Sequence, residues 1–65
     1  MIGTLIKAAR QARKLTQKQV GEALGINDRH VQAWEAGRRN PGPKHLAKLA
    51  EVLGLDVRDL LPRRT

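Results

Sequence analysis

Apolar residues recur along this chain at helical spacing, and no stretch alternates as a strand would. Ile2, Leu5, Ile6, Ala9 and Ala12 share one side of a predicted first helix, which Thr4 would cap, with Lys7, Gln11 and Lys14 opposite. Arg13 borders the apolar stripe, so the helix is expected either to end there or to lay the Arg13 stem along the core edge. Lys14-Leu15 then forms a short connector. Lys14 is not the Gly that helix ends favour, which predicts slight strain at this join. Thr16-Gln17-Lys18-Gln19 reads as a capping box opening a helix from Gln17 to Leu24 that buries Val20, Ala23 and Leu24. Gly21 inside that helix costs about 0.5–1 kcal/mol relative to Ala, so a neighbouring helix is expected to approach closely there. Gly25 ends the helix and Ile26 anchors the turn.

Asn27 caps a third helix, residues 27–36, whose positive end Asp28 complements. Val31 and Trp34 face inward; Asp28, Arg29, Gln32, Ala33 and Ala36 face outward, with His30 at the edge, and Gly37 stops the helix. After the basic loop Arg38-Arg39-Asn40-Pro41-Gly42, Pro43 opens a fourth helix with Leu46, Leu49, Ala50 and Leu53 on one face and Gly54 at its end. Asp56 caps a last helix from Val57 to Leu61, stopped by Pro62. The expected fold is all-α: a compact bundle of five short helices forming one domain over residues 1–65.

Charge alters this picture most. Lys plus Arg number 13 against 6 Asp plus Glu, a net charge of +7. Lys7, Arg10, Arg13, Lys14 and Lys18 all precede the first acid, Glu22. A pI near 11.3 with clustered bases is the electrostatic footprint of a nucleic-acid binder; a solvated basic surface or attraction to anionic lipid is the bland alternative. The absence of Cys excludes disulfides and thiolate metal sites. No apolar run suits a membrane span, and the opening residues do not read as a signal peptide, so a cytoplasmic location is expected.

Two helices joined by a tight Gly-containing turn, here residues 16–37, form the unit that places its second helix in the DNA major groove. Gly21 removes a side chain at the crossing, Gly25 permits the turn, and Val20, Leu24, Ile26, Val31 and Trp34 fill the wedge. On residues 27–36, Arg29 suits guanine O6 and N7, Gln32 suits adenine, and the Ala33 methyl suits a thymine methyl. Asp28 either accepts from cytosine N4 or caps the helix and orients Arg29. Gln17 opens the helix expected to cross the backbone, and Lys18, His30, Arg38, Arg39, Asn40 and Lys44 complete the expected phosphate contacts.

Arg10, Leu15-Thr16-Gln17, Trp34-Glu35-Ala36-Gly37, the Pro41 loop and LAKLAEVLGL from Leu46 to Leu55 together resemble the lambda-repressor-like helix-turn-helix family of phage repressor, Cro and XRE-type regulators. The resemblance spans Ile6 to Leu61. It implies a five-helix domain binding operator DNA, usually as a homodimer on a near-palindromic site. It also implies an Arg10–Glu35 pair tying helix one to the reading helix, and dimer contacts from Val57, Arg58 and Leu60. Lys14 stands where the family often has Gly, and Asp28 where an uncharged polar residue is common.

No metal, cofactor or small-molecule substrate is expected. His30 and His45 lack partners at ligand spacing, Trp34 reads as core, and without Ser or Cys no nucleophile–base set is present, so no enzymatic activity is expected. The leading expectation is a sequence-specific transcriptional regulator, a repressor of phage, prophage or plasmid type. The alternative is an antitoxin-type protein-interaction module. Such a module would call for an apolar tail, and only Pro62 to Thr65 follow the last predicted helix.

Overall fold

All but the first helix begin or end where a side chain or a glycine supplies what the backbone lacks. The computed structural model describes residues 2–60, with five helices among them: α1 (Ile2–Ala12), α2 (Gln17–Leu24), α3 (Asp28–Glu35), α4 (Pro43–Leu53) and α5 (Val57–Leu60). At α2 both halves of the capping box form, Thr16 Oγ1 accepting from Gln19 N at 3.0 Å and Gln19 Oε1 accepting from Thr16 N at 2.8 Å. Asn27 Oδ1 caps α3 by accepting from Arg29 N at 3.0 Å. Asp56 Oδ1 caps α5 through Arg58 N at 2.9 Å, and these bonds hold the Asp56 carboxyl below its ordinary range. Gly25 closes α2 in the left-handed conformation at φ 72°, which a β-carbon would oppose.

Ile6, Val20, Val31, Trp34, Leu49, Ala50, Leu53 and Leu60 form the buried core, with Leu5, Leu15, Leu24 and Ile26 packed against it. Every described helix contributes to it, so the orientation of α3 depends on the whole bundle. The Trp34 ring also meets the His45 ring of α4, with centroids 5.7 Å apart.

Several expectations are corrected. Thr4 lies inside α1 and does not cap it, because the helix starts earlier at Ile2, where Gly3 is buried against α3. Ala12 and Ala23 are exposed; each lies about a third of a turn from the centre of its helix's inward face. The last helix is described to Leu60, and the expected end at Leu61 and stop at Pro62 lie outside the described residues. Arg13 follows the end of α1, and its Nε donates to the Leu53 carbonyl at 2.9 Å, with the guanidinium lying over Gly54. It thereby satisfies one of the carbonyls left free at the end of α4.

Lys14 carries the expected strain. It is the only non-glycine residue with positive φ, 56°, among the described residues. A left-handed conformation costs roughly 1–2 kcal/mol in a residue with a β-carbon, while Gly forfeits about 0.5–1 kcal/mol in chain entropy. Lys14→Gly should therefore raise stability by about 0.5–1 kcal/mol, read as a higher thermal midpoint; a lower midpoint would refute the strain.

Candidate nucleic-acid interface

The placement of α3 is set by two close contacts and one ion pair. A β-carbon on Gly21 would come within 3.0 Å of the Ile26 carbonyl oxygen and 3.2 Å of Asp28 Cα, so α2 presses on the start of α3. At the other end, a β-carbon on Gly3 would collide with the Trp34 carbonyl oxygen and lie 3.0 Å from that of Glu35. The Gly21 approach is the one expected from sequence; Gly3 carries no local signal, since only the packed structure brings α1 onto the end of α3.

The same end holds the charged network. Arg10 Nε donates to Glu35 Oε2 at 2.7 Å and Nη2 to Oε1 at 3.1 Å, a two-pronged pair with side chains 11% and 4% exposed. Arg10 Nη1 donates to the Leu15 carbonyl at 2.8 Å, and Gln17 Nε2 to Glu35 Oε1 at 3.1 Å. The Arg10–Glu35 pair thus joins α1, the connector, the start of α2 and the end of α3. The Glu35 carboxylate pushes the Arg10 guanidinium above its already high ordinary pKa, outweighing the opposing effect of burial, so Arg10 stays cationic.

The sequence-predicted residues fall into three groups. Arg29, Gln32 and Ala36 are exposed on the outer ridge of α3, and His30 is exposed at its edge. Ala33 is half-buried, because the chain reverses at Gly37 (φ 77°) and Arg38 N and Arg39 N return to the Ala33 carbonyl at 3.0 and 3.4 Å. That reversal brings Arg38 and Arg39 to the end of α3, exposed, with Asn40 and Lys44 exposed beyond and Lys18 exposed on α2. Asp28 is half-buried and accepts from Gln32 Nε2 at 3.4 Å. Asn27 performs the capping and Asp28 aligns Gln32, a correction to the reading in which Asp28 caps the helix and orients Arg29. Gln17 is half-buried and turned toward Glu35, so its side-chain amide is engaged within the domain.

Of the residues expected to make dimer contacts, Leu60 is corrected. Leu60 is 2% exposed and belongs to the chain's own core, so it is not available to a second copy; the short α5 must bury it to hold α4. Arg58 is exposed and pairs with Asp56 at 3.2 Å, while the Val57 side chain lies outside what is described.

Between α1 and α3 runs a groove of about 520 Å³ lined by Lys7, Arg10, Lys14, Leu15, Thr16, Gln17, Gln32, Glu35 and Ala36. Its Lys7 and Lys14 escaped the sequence reading, which placed them on a solvent face. For Lys7 the signal was present: it lies three residues before Arg10 on α1 and so shares a stripe with the residue that reaches α3.

Among the described residues no group of His and acidic side chains suits a metal, and no helix is long and apolar enough to cross a membrane. A helix-turn-helix family model matches residues 6–60. Multiprotein-bridging factor 1 of Candida albicans is 39% identical over 57 residues, covering 88% of this chain and 38% of that protein. The immunity repressor protein of Bacillus phage phi105 is 34% identical over 64 residues, covering 98% of this chain and 44% of its own length. The chain therefore spans less than half the length of these relatives. Among solved structures, the P22 c2 repressor protein in complex with synthetic operator 9T superposes with a TM-score of 0.90 at 26% identity, covering 94% of this chain and 92% of that one. SinR, a master regulator for biofilm formation solved in complex with DNA, gives 0.86 at 28% identity, covering 95% and 100%. With the turn, the reading helix and the capped flanks in place, the chain belongs to the helix-turn-helix family, in the lambda-repressor-like form that its sequence resembles.

Proposed function

We propose that this domain binds double-stranded DNA sequence-specifically and represses transcription, working in the cytoplasm as a homodimer on a near-palindromic operator, without cofactor or catalysis. The observation that carries this reading is α3 itself, fixed at both ends and presenting Arg29 and Gln32 on an exposed ridge, with Lys18, Arg38, Arg39 and Lys44 exposed around it. Arg29 donates two hydrogen bonds to a guanine edge, and Gln32, aligned by Asp28, reads adenine. The flanking cations hold phosphates and supply affinity without sequence information. P22 c2 and SinR, both solved on DNA, support the docking mode.

The test is binding to a duplex selected from random sequence and to its scrambled form across a salt series. Arg29→Ala should lose about 1–3 kcal/mol of discrimination at one base pair. Lys44→Ala should weaken both duplexes alike and lower the salt slope by about 1. Equal wild-type affinity for both duplexes would sink the specific reading. It would favour a protein-bridging role, the second reading, which the identity to multiprotein-bridging factor 1 supports.

A further inference from the structure

We infer that Lys7 and Lys14 form a second phosphate-binding wall, on α1 and its connector, which grips the DNA strand running beside the reading helix. The inference rests on the DNA-binding reading and adds to it a surface outside the α2–α3 unit. Its first support is the groove. Gln32 and Ala36 of the α3 ridge make one side, and Lys7 and Lys14 belong to the other. On this inference the strand bordering a major groove occupied by α3 would lie along the mouth of this groove.

Its second support is charge. Glu35 is the one acid among the described residues that line the groove, and its side chain is 4% exposed and neutralised by Arg10. Lys7 and Lys14, both exposed, are left without an acid to balance them there. The small Ala36 side chain keeps the mouth open on the α3 side.

Its third support is the backbone of Lys14. A lysine held in the left-handed conformation costs stability that a glycine would recover. Strain of this kind clusters at functional sites. A phosphate contact from the Lys14 ammonium is the function here.

The experiment compares the intact chain with Lys7→Gln plus Lys14→Asn, two neutral replacements at exposed positions, of which Asn tolerates the left-handed backbone. Lys48→Gln serves as control, because Lys48 is exposed on α4 and does not line the groove. On a half-site duplex the double variant should lower the salt slope by about 1.8. Wild-type affinity should then fall about tenfold further than the variant's between 50 and 200 mM salt, from the same counterion arithmetic. Base preference should stay unchanged. Lys14→Gly alone should melt higher yet bind more weakly, opposite signs that a purely structural lysine would not give. An unchanged slope in the double variant, or an equal drop in Lys48→Gln, overturns the inference. If wild type binds selected and scrambled duplexes equally while the double variant still loses slope, the wall stands and the specific reading falls. If wild type binds no duplex, both fall.

Discussion

Glu35→Ala should destabilise the domain by about 3 kcal/mol, the lower end of the cost of leaving one partner of a buried ion pair alone, because this pair is partly buried. The size follows from the surroundings of the pair. Glu35 accepts from Arg10 twice and from Gln17 once, and little of either charged side chain reaches water. Removing the carboxylate strands the guanidinium, whose remaining bond is to the Leu15 carbonyl. In a domain of this size each kcal/mol moves the midpoint by about 4–8 °C, so thermal and urea unfolding should show a drop above 10 °C. Gln17 loses its anchor at the same time, and DNA affinity should fall in the folded fraction as well. Glu35→Gln keeps the shape and one acceptor, and should fall between wild type and Ala. A loss below about 1 kcal/mol for Glu35→Ala would place the pair with solvated surface bridges.

What the sequence discloses and what it withholds divide along physical range. Thr16 with Gln19, Asn27, Gly25 and Asp56 were legible because caps and turns are decided by residues a few positions apart. Val20, Val31 and Trp34 were legible because helical spacing marks an inward face, and Arg10–Glu35 because two family segments match in register. Apart from Ala12, Ala23 and Thr4, which are matters of helix phase and residue type, the misses depend on approach between distant elements. Gln17 turns inward because Glu35, eighteen residues away, offers an acceptor. Leu60 is core because α5 folds back on α4, and a short amphipathic end cannot say which surface it will cover. Lys7 and Lys14 do face solvent, as the spacing indicates, and only the packing of α3 beside them makes them line a groove. Thr4 was a cap by residue type alone, and Ile2, packed against the core, carries the helix past it.

Gly3 is the sharpest case of that kind, and Gly3→Ala tests it with two effects of opposite sign. Helix propensity favours Ala within a helix by about 0.5–1 kcal/mol. Packing opposes it, because the new methyl would overlap the Trp34 carbonyl oxygen and approach that of Glu35 within 3.0 Å. Those are backbone atoms of α3 and cannot rotate aside, so either α1 shifts away or its first turn unwinds. Overpacking of this sort costs about 1–3 kcal/mol, so the expected net result is destabilisation despite the better helix former. The displaced helix also carries Arg10, so a shift of α1 lengthens the bonds to Glu35. Gly3→Ala and Glu35→Ala should then be less than additive, with a coupling of about 0.5–3 kcal/mol in a double-mutant cycle. Full additivity would mean that the first turn unwinds and leaves the pair intact; a stabilised Gly3→Ala would mean that α1 and α3 do not meet at this glycine. The reading helix is held by this joint as much as by the turn before it, so DNA affinity should fall with the coupling, while Lys18 and Lys44, remote from Gly3 in the chain, keep their salt dependence.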